Sequence, residues 1–167
     1  WGGRLIGALS SSNIKKYIGT EPASDTFKGL KQIQKDFNYI NKKVELHKLG
    51  SEVFRPKEKV DLCFTSPPYY DWEKYSEEDT QSYIKYPTRE EWLNGFLFDT
   101  IGNCYHGLKP GGILAMNVAD TKRIKNFEEE TVRLAIENGF KQIATWYLFL
   151  SSQSGSFKKE PIFIFKK

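Results

Sequence analysis

The stretch VDLCFTSPPYY, from Val60 to Tyr70, runs from an apolar segment directly into two prolines. Its first six residues have the composition of a buried strand, and Pro67 ends that strand because proline has no backbone N–H for pairing. The two prolines stiffen the backbone and leave its carbonyl groups free to accept hydrogen bonds. Ligands of open α/β sheets bind at the carboxyl ends of strands, so we expect a site at residues 65–70. A rigid turn with a surface tyrosine is the alternative.

Helical and strand patterns alternate on both sides of this stretch. The apolar spacing predicts helices over 2–12, from 24 or 25 to 37, 88–107 and 126–138, and strands over 16–20, 44–49, 60–65, 113–118, 142–150 and 161–165. Ser24 or Asp25 would cap the second of these helices, Thr88 and Glu91 would form a capping box at the start of the third, and Gly139 would end the fourth. This order predicts an α/β domain with a mostly parallel sheet. The polar loop 151–160 is too short for a crossover helix, so the last two strands should form an antiparallel hairpin.

Composition narrows the class of protein. A length of 167 residues fits one domain, and 39% hydrophobic residues exclude wholesale disorder. No apolar run reaches the 18 or so residues of a membrane span, and the net charge of +4 does not by itself require a nucleic-acid partner. Cys63 and Cys104 show no disulfide or metal spacing, which favours a cytoplasmic protein, and His47 and His106 suggest no metal site.

The segment from Thr65 to Tyr69 resembles the catalytic motif of S-adenosylmethionine-dependent amino methyltransferases, which methylate exocyclic amino groups of DNA bases. Four other segments resemble parts of that family, and they occur in the same order along the chain. They are Trp1–Arg4 (half of a glycine-rich cofactor loop), Tyr17–Pro22 (a strand with an acidic end), Leu108–Gly112 (a turn) and Lys159–Phe163 (the final hairpin). The resemblance spans nearly the whole chain. It implies a Rossmann-like class I methyltransferase fold and a DNA methylase of the restriction-modification type, in a bacterial or phage-infected cell.

The resemblance assigns the chemistry to the motif residues Ser66, Pro67, Pro68 and Tyr69. An exocyclic amino nitrogen is a poor nucleophile because its lone pair is delocalised into the ring. The Ser66 hydroxyl and the Pro67 carbonyl would accept its N–H groups and stabilise the developing positive charge. Tyr69 would stack on the base after the base has left the duplex.

The resemblance implies S-adenosylmethionine as the cofactor and assigns six residues to it: Gly2, Gly3, Glu21, Ser51, Glu52 and Thr65. The glycines would let the backbone approach the methionine end, although a plain helix start explains them equally well. Glu21, at a strand end, would accept both ribose hydroxyls. Ser51 and Glu52 occupy the place where the family contacts the adenine ring.

The expected partner is DNA, with contacts from Tyr70, Trp72, Lys122, Arg123, Lys158 and Lys159. The aromatic residues would stack on bases, and the cations would bind phosphates or serve only solubility. Residues 71–91 hold seven acids against three bases, a net charge of −4 that leaves +8 on the rest of the chain. This segment therefore does not fit a phosphate clamp, and we expect a lid or a recognition insert.

The family has a central first strand that should precede Trp1, and this sequence lacks it. We therefore expect residues 1–167 to be one catalytic domain, incomplete at its N-terminus and inactive alone. A further protein segment or subunit would supply the strand and the sequence recognition. Ser66 at the head of the motif favours cytosine N4 over adenine N6. RNA or protein amide methylation, or an inactive DNA-binding subunit with this fold, are the alternatives.

Overall fold

The computed structural model of the protein describes residues 2–122, 124–151 and 157–167, without the side chains of residues 151, 157 and 158. The strands are β1 (Lys16–Thr20), β2 (Lys43–His47), β3 (Val60–Thr65), β4 (Leu108–Asn117), β5 (Lys141–Ser151) and β6 (Phe157–Lys166). The helices are α1 (Gly3–Ser10), α2 (Ser24–Asp36), α3 (Ser82–Lys85), α4 (Arg89–Glu91), α5 (Phe98–Gly107) and α6 (Phe127–Glu137). A π-helical segment (Trp92–Leu97) joins α4 to α5, and 3-10 turns lie at Asn38–Ile40 and Ser51–Val53.

The strands form two sheets. β1 and β2 pair in parallel, and the second sheet has the order β3-β4-β6-β5. β3 and β4 are parallel, whereas β6 is antiparallel to both of its neighbours. The predicted α/β class and the closing antiparallel hairpin are confirmed. In the described part of the chain the two sheets are not joined by a strand between β1 and β3.

Each sheet has its own core. The larger core packs the π-helical segment, α5 and α6 against one face of the four-stranded sheet, where Leu114, Met116 and Phe165 are buried. A smaller core, around Leu5, Leu9 and Leu30, lies between β1–β2 and helices α1 and α2. Leu62 and Phe64, on the other face of β3, remain half exposed.

The predicted capping box at Thr88 is confirmed. The Thr88 hydroxyl accepts the Glu91 N–H at 3.2 Å, and the Glu91 carboxylate accepts the Thr88 N–H at 3.1 Å. These bonds satisfy N–H groups at the start of the helix that have no partner within it. The long predicted helix over 88–107 therefore begins where expected, although a π-helical segment interrupts it.

The hairpin differs from the prediction. β6 begins at Phe157, so part of the predicted loop 151–160 is strand, with Leu148 opposite Glu160 and Phe149 opposite Lys159. The charged residues that indicated a loop lie on a two-stranded extension whose faces stay open to water, which is compatible with strand pairing. We call residues 147–151 and 157–161 the ribbon.

The ribbon projects past the carboxyl end of β4. Asn117, the last residue of β4, pairs with Ile162, so among the described strands residues 157–161 of β6 have only β5 as a neighbour. β3 is parallel to β4, with Thr65 opposite Met116. The ribbon therefore leaves the sheet at the edge where β3 enters the Ser66 motif.

Cys63 on β3 and Cys104 on α5 have free thiols in hydrogen-bond contact. This contact, together with burial, holds the pKa of Cys104 well above its ordinary value. No helix in the described ranges is long and apolar enough to cross a membrane. The same ranges contain no group of three potential ligands that could hold a metal ion.

Candidate functional site

A cavity of about 600 Å³ lies between β1 and β3, at the carboxyl ends of both strands. Its walls include all six residues predicted to bind a cofactor and three of the four motif residues: Gly2, Gly3, Glu21, Ser51, Glu52, Thr65, Ser66, Pro67 and Pro68. These residues come from four separate stretches of sequence. They meet because parallel strands bring the loops that follow them to the same edge of a sheet.

Gly2 has a backbone conformation that suits glycine. Its φ is 84°, in the left-handed region, and a Cβ there would lie 2.6 Å from the Ile33 Cδ1 atom. Any side chain at this position would strain the backbone and collide with α2. The glycine therefore lets the start of α1, which lines the cavity, pass close to α2.

Glu21 follows β1 directly, and its carboxylate accepts the Ala23 N–H at 2.8 Å. Burial raises the pKa of Glu21, and the nearby Glu78 carboxylate adds to this effect. A half-buried acid at the end of a strand, on the wall of a cavity, is suited to accept hydrogen bonds from ligand hydroxyls.

Glu52 is buried, and it forms an ion pair with Lys85 of α3 through one carboxylate oxygen. Its other oxygen, Oε2, has no hydrogen-bond partner in the described part of the chain. The carboxylate folds back on Gly50, where a Cβ would lie 2.1 Å from Oε2. Gly50 therefore provides the space that this carboxylate occupies.

Gln81, which the sequence analysis missed, is also buried on the cavity wall. Its Nε2 atom has no hydrogen-bond partner among the described residues. A buried acceptor (Glu52 Oε2) and a buried donor (Gln81 Nε2) without partners are costly in a folded protein. Both residues line one cavity, so a polar ligand could complete their hydrogen bonding.

The turn that carries Ser51 and Glu52 is fixed from α5. The buried Asn103 amide donates to the Ser51 carbonyl at 3.1 Å and to the Glu52 carbonyl at 2.7 Å. The Ser51 and Thr100 hydroxyls lie 2.9 Å apart. These contacts order the backbone of the turn independently of any ligand.

At the motif, the Arg4 guanidinium lies 3.5 Å from the Ser66 carbonyl and 5.5 Å from the centre of the Phe64 ring. Arg4 contributes the only cation on the cavity wall among the described residues. Among the described residues, neither the Ser66 hydroxyl nor the Pro67 carbonyl forms a hydrogen bond. Both groups therefore remain available as acceptors.

Tyr69 is held in place by its surroundings. Its hydroxyl accepts the Ala119 N–H at 2.9 Å, and its ring meets Phe127 edge-on at 5.3 Å. Burial raises the pKa of Tyr69 to about 12. Stacking of Tyr69 on a base stays a prediction. Trp72 and Tyr75 are more exposed than Tyr69, and Tyr75 lines the cavity.

Residues 71–91, which we call the lid, are tied to the cavity walls. The Glu78 carboxylate accepts the Ser24 N–H at 2.8 Å and the Ser24 hydroxyl at 2.6 Å. The Thr80 hydroxyl donates to the Pro22 carbonyl at 3.2 Å, and Lys85 pairs with Glu52. These contacts join the lid to the loop after β1, to α2 and to the turn after β2.

The predicted cap of α2 was wrong. Ala23 is the N-cap residue, and neither Ser24 nor Asp25 caps the helix with its own side chain. Glu78, from the lid, accepts the first N–H of the helix instead. A carboxylate at a helix N-terminus also interacts favourably with the helix dipole.

Those predicted DNA-contacting residues that the structure describes lie outside the cavity. Tyr70 has a positive φ of 45°, and its hydroxyl donates to the Pro87 carbonyl. Trp72 is half exposed beside Tyr69, whereas Lys122, after β4, and Lys159, on the ribbon, are exposed. Arg123 and the side chain of Lys158 lie outside the described residues.

No protein-family model matches the sequence, and a comparison with curated proteins found no match. Solved structures do resemble the fold. A methyltransferase from Pyrococcus furiosus superposes with a TM-score of 0.62 at 15% identity, over 98% of this chain and 69% of that chain. A SAM-dependent methyltransferase from Methanosarcina mazei gives a TM-score of 0.60 at 13% identity, over 98% and 86% of the two chains.

The N-methyltransferase NodS from Bradyrhizobium japonicum WM9, in complex with S-adenosyl-L-homocysteine, superposes with a TM-score of 0.57 at 14% identity. That match covers 98% of this chain and 83% of NodS. The three neighbours span nearly all of the chain, and together with the strand order and the closing hairpin they identify its architecture. The chain has the Rossmann-like fold of class I methyltransferases.

Proposed function

We propose that the protein transfers a methyl group from S-adenosylmethionine to an exocyclic amino group of a DNA base, with cytosine N4 favoured over adenine N6. One observation carries the proposal: the Ser66-Pro67-Pro68 stretch lines the same cavity as Glu21, Glu52 and the glycines at the start of α1. The proposed acceptors for an amino group and the proposed ligands for a nucleoside would thus lie side by side.

The cavity residues fit S-adenosylmethionine. Glu21 would accept the ribose hydroxyls, and the unpartnered Glu52 and Gln81 atoms offer an acceptor and a donor to the edge of the adenine ring. Gly2 keeps the backbone close, and the Arg4 cation would face the carboxylate of the methionine part. When bound, the cofactor supplies an electrophilic methyl group on its sulfonium sulfur.

The motif residues act on the target nitrogen. The Ser66 hydroxyl and the Pro67 carbonyl accept the two N–H groups, which draws the nitrogen lone pair out of conjugation and stabilises the positive charge that develops. Because Pro67 is buried and both prolines have a restricted φ, these acceptors need little reorganisation. The lid excludes water from the reacting groups by lying against the cavity walls.

We further propose that another protein segment or subunit supplies a strand between β1 and β3. Within the described residues, each of these strands has a neighbouring strand on one side only. Lys16, at the start of β1, forms an ion pair with Glu58, just before β3, so the two strands begin close together. A strand at this position would join the two sheets and satisfy the unpaired backbone groups of both edges.

The proposal is tested with the purified full-length protein, labelled S-adenosylmethionine and duplex DNA. The DNA is digested to nucleosides, and we expect the label in N4-methylcytosine. We expect Ser66→Ala to lose about a hundredfold in transfer rate, by analogy with the loss of one preorganised hydrogen-bonding group in other active sites. Ser12→Ala, in an exposed turn, is the control.

Three results would contradict the proposal. Label found only in RNA or in protein would move the reaction to another substrate class. Transfer at the full rate by Ser66→Ala would remove the motif from the chemistry. DNA binding without any transfer would indicate an inactive subunit that uses this fold for binding.

A further inference from the structure

The ribbon presents two exposed aromatic rings next to a lysine. Tyr147 and Phe149 are 56% and 59% exposed. The Lys159 Nζ atom lies 5.2 Å from the centre of the Phe149 ring and 5.9 Å from that of Tyr147. Large exposed aromatic groups on a narrow two-stranded extension mark an interaction surface rather than a core.

These three side chains share one face of the ribbon. Phe149 lies directly opposite Lys159, and residues two apart on a strand point to the same side, so Tyr147 joins them. Leu148, which pairs with Glu160, lies on the other face. The face of Tyr147, Phe149 and Lys159 therefore combines two flat apolar surfaces with a cation, and no carboxylate forms an ion pair with Lys159 in the described ranges.

The ribbon lies at the edge of the sheet that carries the motif. The ribbon extends beyond the carboxyl ends of β3 and β4, the edge at which Ser66 follows β3. Asn117, at the end of β4, donates to the Pro161 carbonyl at 3.0 Å and fixes the base of the ribbon.

We propose that the face formed by Tyr147, Phe149 and Lys159 binds unpaired nucleotides next to the target base. The inference rests on the proposed function. It adds that the nucleic acid bound beside the target base is single-stranded. Each ring offers a surface on which a base can stack, regardless of sequence, and Lys159 is placed for the intervening phosphate. The surplus of positive charge outside the lid favours a polyanion over another copy of this basic chain.

The test measures binding of a fluorescently labelled single-stranded 12-mer to the full-length protein by anisotropy. We expect the double variant Tyr147→Ala/Phe149→Ala to bind at least about tenfold more weakly, given the usual contribution of base–aromatic stacking. The matched control is Leu148→Ala, on the opposite face of the same strand, which should bind like the wild type.

A second variant keeps the test decisive if the double variant does not fold. Lys159→Met retains the length of the side chain and removes its charge. The slope of log affinity against log salt concentration should fall by about 0.7, the value for one lost phosphate contact with a single strand. An unchanged slope would overturn the role of Lys159.

The inference and the proposed function fail in different ways. If methyl transfer to DNA is absent but single-strand binding depends on Tyr147 and Phe149, only the proposed function fails. If transfer occurs but the double variant binds the 12-mer with wild-type affinity, the inference is overturned. It is also overturned if this variant instead loses binding to phosphatidylserine vesicles, or loses self-association in sedimentation.

Discussion

The lid and the ribbon flank the same motif, and both are rich in aromatic residues, but Tyr83 and Tyr86 of the lid have partners within the chain, whereas Trp72 is half exposed. In the lid the Tyr83 hydroxyl donates to the Ser76 carbonyl at 2.9 Å, and Tyr86 packs against Phe96. In the ribbon Tyr147 and Phe149 remain more than half exposed. Aromatic content alone therefore does not locate a binding surface. What distinguishes the two regions is whether the rings and hydroxyls already have partners within the chain.

The charged side chains of the lid and of the ribbon also differ in whether they have partners within the chain. The lid carries a net charge of −4, and two of its charged groups, Glu78 and Lys85, are used in contacts with the cavity walls. Lys159 on the ribbon lies against rings only, within the part of the chain that the structure describes. The lid is thus suited to close the cavity, and the ribbon to meet a partner from outside.

Among substitutions that test the contrast between the lid and the ribbon, Gly50→Ala should have the largest effect, a loss of affinity for the cofactor product. A Cβ at this position would displace the Glu52 carboxylate and weaken its ion pair with Lys85, which joins the lid to the cavity. We expect at least a tenfold loss of affinity for S-adenosylhomocysteine in calorimetry, because a displaced buried charge is costly. Binding of the single-stranded 12-mer at the ribbon should not change.

Gly29→Ala is the control for this substitution, since a Cβ in that part of α2 meets no atom within 4 Å. Wild-type affinity of Gly50→Ala for S-adenosylhomocysteine would separate Glu52 from the cofactor site. Equal losses at the cavity and at the ribbon would show that the two regions are not independent.

A smaller effect is expected from Glu78→Ala, which removes the contact with Ser24 at the start of α2. Amide hydrogen exchange in residues 76–86 should become several-fold faster, because the lid loses its attachment to α2. Exchange in the ribbon should stay the same. Glu77→Ala, at the exposed neighbouring acid, is the control, and equal exchange in both variants would remove Glu78 from this role.

The attachment of the lid should also depend on pH. Hydrogen bonds from the Ser24 hydroxyl and N–H lower the pKa of Glu78 from its ordinary value of 4.5. A group whose pKa is lowered on folding stabilises the folded state above its ordinary pKa, and this contribution is lost as the pH falls through the lowered value. Pepsin cleavage within the lid should therefore accelerate below about pH 4.5. Glu78→Gln should abolish this acceleration of cleavage. If the variant and the wild type show the same dependence of cleavage on pH, the role given to Glu78 is contradicted.

The smallest expected effect is a change in the free energy of unfolding, tested by comparing substitutions at two tyrosines. Tyr83→Phe deletes a partly buried hydrogen bond and should lower the free energy of unfolding by about 1 kcal/mol, measured by chemical denaturation. Tyr147→Phe keeps an exposed ring and should change neither stability nor binding of the 12-mer. If the two substitutions have equal effects on stability, the contrast between lid and ribbon does not hold.

Local signals in the sequence were reliable where neighbouring residues decide the outcome. The capping box of Thr88 and Glu91 lies within one helical turn, and the structure confirms it. Gly139, expected at the end of the helix before β5, has the positive φ of 93° typical of that position. The closing hairpin was predictable because its short connection allows no crossover.

Contacts between distant residues could not be predicted in this way. Glu78 caps α2 from 54 positions away, and no local pattern indicates that it replaces Ser24. Gln81 is one polar residue among many in the lid, and only its burial on the cavity wall makes it a candidate ligand. The early start of β6 was hidden because its charged residues resemble those of a loop.

The order of the main helices and strands, and the position of the Ser66 motif after β3, could be predicted from the amino-acid sequence alone. These features depend on local patterning and on a short, specific stretch of residues. The hydrogen bonds and the ion pair between the lid and the cavity walls, and the exposure of the ribbon, are seen only in the three-dimensional structure. The physical reason is that burial and partner choice depend on which distant groups the fold brings within hydrogen-bonding distance.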